Sequence, residues 1–283
     1  MQRLRLTRTA RPVRDATGRR RAWPWALAGA FFGALLAAAA QAPAHWLARW
    51  IADTTDQRLL LTDARGTLWS GSAVAVLGGG PGSRDASALP GRLHWSIGRA
   101  PGQWRQLELQ LRHACCIDGT LRLRIEPGID RQRVSLPPGR QAVGHWPAGW
   151  LSGLGAPFNT LRLGGAARLW ADGLSVETVQ GRWRLAGRAE LELLGLSSAL
   201  SALDTLGSYR LVISGDGSGP GGARLVLDTL QGPLRLAGSG QWAGPTLRFR
   251  GQAQADAGSE AMLNNLLNLL GQRQGALALL AIG

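Results

Sequence analysis

The residues best suited to chemistry are one serine next to a tryptophan, two adjacent cysteines and four histidines. Ser70 lies in the sequence Trp-Ser-Gly, but the G-x-S-x-G elbow of a nucleophilic serine requires glycine at position 68, which is Leu68. The histidines are scattered and show no metal-ligand spacing. They are His45, His94, His113 and His145. We therefore expect no catalytic residues and no enzyme activity.

Cys115 and Cys116 are adjacent and are the only two cysteines, so no disulfide can close a long loop. A vicinal disulfide and two free thiols are the alternatives that remain. His113 lies two residues earlier, but a closed metal site needs four ligands and no fourth candidate is nearby. The chain also lacks lysine, which a phosphate-binding loop requires. We predict neither a metal site nor a cofactor.

The formal net charge of +14 comes entirely from arginine, and half of it lies at the N-terminus. Residues 1–21 contain eight arginines and one aspartate. A nucleic-acid-binding domain would concentrate basic residues on its folded body, so we expect no nucleic-acid partner. Of the three functions that we compare, binding of a polyanion by this basic arm has the least support.

An apolar segment follows this basic arm. Residues 22–40 carry no charge, and as a helix they would span about 28 Å, close to the hydrocarbon thickness of a bilayer. Trp23 and Trp25 lie at one end, and Trp46 and Trp50 lie beyond the other. Arginines on the N-terminal side alone predict a cytoplasmic N-terminus and a periplasmic remainder. A cleaved signal peptide is the alternative, because Ala40-Gln41-Ala42 has the form of a cleavage site.

The body of the chain shows period-two alternation in at least ten short segments. Leucines at 107, 109 and 111 alternate with polar residues, and the pattern returns at 121–125, 191–193 and 211–213. Glycine-rich and Pro-Gly turns separate the segments. Strands with one apolar and one polar side are typical of antiparallel sheets. We predict a mainly β domain, either a curved antiparallel sheet or a sandwich, and we interpret Glu108, Glu190 and Glu192 as solvated strand positions.

Four regions follow from these patterns, together with one short C-terminal helix. They are a cytoplasmic basic arm at 1–21, a transmembrane helix at 22–40, a juxtamembrane segment at 41–58 and a periplasmic β-rich domain at 59–283. The Pro- and Gly-rich residues 136–155 predict an internal sub-boundary. Ser259 as cap, apolar residues at helical spacing and Gly271 as stop predict the helix near the C-terminus.

The segment 64–74, ARGTLWSGSAV, is the most distinctive part of the body. Its pattern predicts a turn at Gly66, a short strand over Thr67, Leu68 and Trp69, and a second break at Gly71. We expect Leu68 to pack inward and Trp69 to lie on the opposite face. Trp69 is then either a core residue or a contact for a partner or a bilayer surface.

These residues also carry a resemblance. ARGTLWSGSA is followed, in order, by GRLHWSI, GAPFNTLRLGGAARL, SALDTLGSYRLVISG, LDTLQGPLRLAGSGQW, LRFRGQAQA and LNNLLNLLGQRQG. From about residue 43 to the C-terminus, this series resembles protein N of the bacterial type II secretion system. The adjacent cysteines and the long arginine-rich arm have no counterpart that we can assign in that family.

The resemblance implies a non-enzymatic, single-pass component of the bacterial inner membrane, with its β-rich domain in the periplasm. Such a component helps to link the inner-membrane platform to the outer-membrane secretin during export of folded proteins. Its partners would be other subunits of the secretion system, including the secretin. The residues of its motif here are Gly66, Thr67, Leu68, Trp69 and Gly71.

A second function follows from the strand pattern rather than from the resemblance. A curved sheet with one apolar side could leave that side open as a groove. The alternative is therefore a periplasmic protein that binds or carries lipid, and the two functions are compatible.

Overall fold

A computed structural model describes residues 19–219, 222–244 and 246–283, which form two compact units divided after Ala42. The first unit is helix α1, Arg19–Ala40. Its residues Trp23–Ala40 are the one stretch of the described chain that is long and apolar enough, by length and composition, to cross a bilayer. Residues 1–18 of the predicted basic arm at 1–21 lie outside the described residues.

The second unit, from Pro43 to Gly283, contains sixteen strands among its described residues. The strands are β1 Leu59–Gly66, β2 Ser70–Gly78, β3 Ala86–Ala88, β4 Leu93–Ala100, β5 Gln103–His113, β6 Ile117–Glu126, β7 Arg131–Ser135, β8 Arg140–Pro147, β9 Leu163–Val179, β10 Arg182–Ser198, β11 Gly207–Asp216, β12 Arg224–Gln231, β13 Leu234–Ala243, β14 Thr246–Ala255, β15 Gln272–Gln274 and β16 Leu277–Ile282. The helices are α2 Ala44–Thr54, the 3-10 helix Ala148–Leu154, α3 Phe158–Leu161 and α4 Glu260–Leu270.

All sixteen strands belong to one antiparallel sheet. Fourteen of them form a single hydrogen-bonded path in the order β1-β2-β4-β5-β6-β7-β9-β10-β11-β12-β13-β14-β16-β15. Strand β3 adds to β2, and β8 pairs with the first half of β9 while β7 pairs with its second half. The sheet is open, with β1 and β15 as its edge strands. The prediction of a mainly β domain is confirmed, in its single-sheet form rather than as a sandwich.

The period-two pattern places leucines opposite leucines across the strands. Leu109 pairs with Leu123 and Leu111 with Leu121, while the residues between them, such as Gln110 and Arg122, also face one another. Residues that pair directly across strands share one side of a sheet. The sheet therefore has an apolar face, on which the leucines lie, and a polar face, on which most of the arginines and glutamates lie.

Helices cover parts of the apolar face at both ends of the strand path. Near the β1 edge, Leu47 and Ile51 of α2 pack against a cluster that contains Leu61 and Trp95. Near the other edge, α4 buries Leu263, Leu266 and Leu267 against β13, β14 and β16. The helix predicted near the C-terminus is thus present, and it begins one residue after Ser259.

Residues 136–155, where we predicted a sub-boundary, instead contain β8 and the 3-10 helix. Strand β8 pairs with β9 from Arg140 to Pro147, and Gly153 packs so closely on the Leu77 carbonyl that a Cβ would not fit. The segment therefore belongs to the same compact unit as the strands before and after it. Its prolines and glycines lie at strand ends and at a close backbone contact. Linkers are rich in the same two residue types, so composition alone does not distinguish the two cases.

Candidate functional site

The motif residues 66–71 form the tight connection between β1 and β2. Gly66 has φ +92°, and a Cβ there would lie 2.6 Å from the Ser70 carbonyl oxygen, so the position favours glycine. The Thr67 amide donates to the Ser70 oxygen at 2.9 Å, and the Ser70 amide donates back to the Thr67 hydroxyl at 3.1 Å. These bonds close the turn and hold Leu68 and Trp69 at its tip.

The predicted arrangement of the motif is wrong in one respect. We placed a short strand over residues 67–69 between two breaks, whereas β1 ends at Gly66, residues 67–69 form the turn, and β2 already begins at Ser70. Gly71 consequently lies inside β2, where it pairs with both Gly66 and Trp95. Thr, Leu and Trp at a turn tip resemble a short strand in sequence, because Thr and Trp are common in strands and nothing in the pattern shows where the chain reverses.

Gly71 is required because the Trp95 indole lies on it. A Cβ at Gly71 would be 2.5 Å from the Trp95 ring and 2.5 Å from the Arg65 carbonyl oxygen. The buried Trp95 ring donates its Nε1 hydrogen to the Leu68 carbonyl at 3.0 Å. The neighbouring Ile97 amide donates to the Trp69 carbonyl at 2.6 Å. Strand β4 therefore holds the turn by donating hydrogen bonds to the backbone carbonyls of Leu68 and Trp69. Trp95 is the residue of this site that the motif analysis missed.

Leu68 and Trp69 are adjacent at the tip of the turn, and our expectation that they face opposite sides stays a prediction. Leu68 is half-buried, whereas Trp69 keeps 38% of its surface exposed. A backbone bridge pairs Thr67 with Pro43, which immediately precedes α2. The turn and the first residues of α2 are thus adjacent, and Trp69 lies at the surface beside them.

A cluster of charged side chains around Asp63 of β1 also stabilises this hairpin. Arg92 binds Asp63 by two contacts of 2.6 Å, one to the carboxylate and one to the carbonyl, and also reaches the Ser72 hydroxyl at 3.2 Å. Arg65 forms a second ion pair with Asp63 at 2.9 Å. The hydrogen bonds from Arg92 and Arg65 hold the pKa of Asp63 below its ordinary value. Its carboxylate thus stays ionised to lower pH when the protein is folded.

Glu190 and Glu192 on the polar face are covered by arginines rather than solvated, which corrects our interpretation of these two residues. The Glu190 side chain is only 12% exposed, and Arg210, Arg188 and Arg140 approach it at 2.8, 3.5 and 3.9 Å. Glu192 pairs with Arg210 at 3.1 Å. The arginines come from three different strands, so the sequence alone could not show this clustering.

Cys115 and Cys116 are joined by a disulfide in this structure, and His113 lies beside them. The Cys115 amide donates to His113 Nδ1 at 3.3 Å, and burial, with a smaller effect of nearby His94, lowers the pKa of the His113 imidazole. One donor atom from each of the three residues lies within 4.8 Å of the others. A metal ion would need thiolates, and the sulfur–sulfur bond occupies both sulfurs. That these three residues bind no metal ion stays a prediction.

Gly71→Ala tests the close packing of Trp95 on the hairpin. The added methyl group must displace the indole or the Arg65 carbonyl, and overpacking of this kind costs about 1–3 kcal/mol of unfolding free energy. At about 2–4 °C per kcal/mol for a domain of this size, the melting temperature should fall measurably in tryptophan fluorescence or circular dichroism.

Gly98→Ala is the matched control, because Gly98 lies on β4 and a Cβ there would have no atom within 4 Å. We expect its melting temperature to stay unchanged or rise slightly. Equal melting temperatures of the two variants would contradict the packing described for Trp95.

Comparison with known proteins identifies the family. The model of the family "Type II secretion system (T2SS), protein N" matches residues 57–279, which include the hairpin, every strand but the last residues of β16, and α4. No curated protein and no solved structure matches the chain. Because the family model covers most of the sequence, the chain belongs to the type II secretion system protein N family.

Proposed function

We propose that this protein is a non-enzymatic subunit of the type II secretion system that is anchored in the bacterial inner membrane. Helix α1 crosses the bilayer once, with the N-terminus in the cytoplasm, and the sheet lies in the periplasm. There the protein helps to link the inner-membrane platform to the outer-membrane secretin during export of folded proteins. Family membership implies contacts with other subunits of the secretion system. Among these subunits, we propose the secretin as a specific partner.

The continuous strand path is the observation that carries the linking role. Fourteen strands in one path make thirteen inter-strand steps, and at about 4.8 Å a step the contour of the sheet is about 60 Å. A surface of this length offers one partner a site near β1 and another a site near β16. Neighbouring strands along this path are hydrogen-bonded to one another, so the sheet can transmit position between its two ends.

The orientation is supported by the charge of the chain on the two sides of α1. Eight arginines lie in residues 1–21, and arginine-rich flanks remain on the cytoplasmic side of a membrane helix. The uncleaved anchor is supported by the apolar length of Trp23–Ala40, which exceeds that of a typical signal peptide.

A non-enzymatic role is supported by what the ionisable groups do. Asp63 is held by Arg92 and Arg65, Glu190 by three arginines, and the two cysteine sulfurs by each other. Groups engaged in this way stabilise the sheet instead of being available to a substrate. The exposed parts of the protein are a contact surface.

Lipid binding remains a second candidate because part of the apolar face is uncovered. Val134 and Val176 pair directly across β7 and β9, and each is 40% exposed. If the face holds an acyl chain, native mass spectrometry of the purified protein should show a bound lipid that Val176→Glu removes. A lipid-free spectrum of the unaltered protein would contradict this candidate.

Reporter fusions test the proposed topology. Alkaline phosphatase joined after Gly283 should be active, because it folds only after export, and β-galactosidase at the same position should be inactive. The control fusions, made after residue 21, should show the opposite pattern. A β-galactosidase fusion at Gly283 that is active in the cytosol would refute both the anchor orientation and the periplasmic domain.

Deletion of the gene tests the secretion role. In a bacterium that requires the system, folded substrates should accumulate in the periplasm instead of reaching the medium, and the unaltered chain should restore export. The Gly98→Ala variant should restore it equally well. Unimpaired export by the deletion strain under secreting conditions would count decisively against the proposal.

A further inference from the structure

Helix α2 has two apolar surfaces, and the sheet accounts for only one of them. Its inner stripe packs on β1 and β2 and consists of Ala44, Leu47, Ala48 and Ile51. Its outer face is defined by Trp46, Arg49 and Trp50, which lie on the opposite side at spacings of three and four residues. The packing of α2 on the hairpin therefore turns two tryptophans away from the body.

These two indoles are among the most exposed large side chains of the second unit. Trp46 is 56% and Trp50 is 63% exposed, and the Trp46 ring makes an edge contact with the adjacent His45 ring, with 6.5 Å between the ring centres. Tryptophan gains most where its ring leaves water while its N–H keeps a polar partner. The headgroup region of a bilayer provides both conditions, which is why tryptophan is enriched there.

A bilayer is within reach of this face because of the chain connection. Three residues, 41–43, separate the last residue of α1 from the first residue of α2, and three residues extend over about 10 Å at most. Arg49 lies between the two tryptophans, where its guanidinium suits lipid phosphates while its methylenes stay against apolar groups. The exposed Trp69 lies next to Thr67, which is bridged to Pro43 at the start of the same helix.

We propose that the outer face of α2 docks in the headgroup region of the bilayer that holds α1. This inference rests on the membrane anchor proposed above. It makes β1 the strand nearest the bilayer, because α2 packs along β1. The strand path then leads away from the membrane, and the open edge at β15 and β16 is its distal end, up to about 60 Å away along the sheet.

Fluorine NMR of the full chain in nanodiscs tests this docking residue by residue. The twelve tryptophans are replaced biosynthetically by 5-fluorotryptophan, and each resonance is assigned by its loss in a Trp→Phe variant. Two paramagnetic probes are then compared: a phospholipid with a nitroxide near its headgroup, and a water-soluble gadolinium chelate. The lipid probe should remove most of the intensity of Trp46 and Trp50 and little of that of Trp183 and Trp242, which lie on β10 and β13.

Trp25 in α1 and Trp104 on β5 separate the two proposals. Loss of Trp25 intensity with the lipid probe reports the anchor itself, and loss of Trp104 intensity with the soluble probe reports exposure to water. Broadening of Trp25 without broadening of Trp46 and Trp50 would overturn the docking and assign their face to water or to a protein partner. An unaffected Trp25 would overturn the anchor.

A pair of substitutions tests whether the tryptophans cause the docking. The double variant W46E/W50E places two carboxylates against the headgroups, so the lipid probe should broaden Trp69 much less than in the unaltered chain. Trp104→Glu, at a position 81% exposed near the start of β5, is the matched control and should leave the Trp69 signal as it is. All three substituted positions are exposed, so circular dichroism should show an unchanged fold for both variants. Equal broadening of Trp69 in all three proteins would overturn the role of α2.

Discussion

One constraint governs this protein: a single open sheet has no second sheet to cover its apolar face. Most of the strands contribute leucines or other apolar side chains to that face, and water must be kept from them. The chain meets this need with helices at the two ends of the strand path. Helix α2 covers the strands near β1, and α4 inserts Leu263, Leu266 and Leu267 against β13, β14 and β16. The helices therefore cover the two ends of the apolar face, as a second sheet would in a sandwich.

The polar face solves a different problem, which is the repulsion among many arginines in a chain of net charge +14. Glutamates at a few positions are surrounded by arginines from neighbouring strands. Glu190 binds three of them, and Glu177 binds Arg131 and Arg133. Because all of these pairs except Arg188–Glu190 join different strands, they also fix the strand register on the side that hydrophobic packing does not reach. Charge and packing thus hold the same alignment from the two faces.

The hairpin at residues 66–71 joins β1 to β2 and contacts the start of helix α2. Trp95 holds its turn, and Pro43 bridges it to the start of α2. The motif is therefore explained by packing at most of its positions: Gly66 by its backbone angle, Gly71 by the Trp95 ring and Thr67 by the turn hydrogen bonds. Trp69 is the motif residue with substantial exposure, and it faces outward next to the helix whose tryptophans also face outward.

The sequence by itself determined the local elements, since periodicity reflects which side of each element must leave water. It predicted the strands, the apolar N-terminal helix, the helix near the C-terminus and the family resemblance. It could not determine the turn position in the motif, the burial of Glu190, the role of Trp95 on Gly71 or the continuity of the sheet through residues 136–155. Each of these depends on a partner from another strand. A period of two specifies the face on which a side chain lies but not the strand that lies beside it, so only the tertiary structure decided the register and the contacts that follow from it.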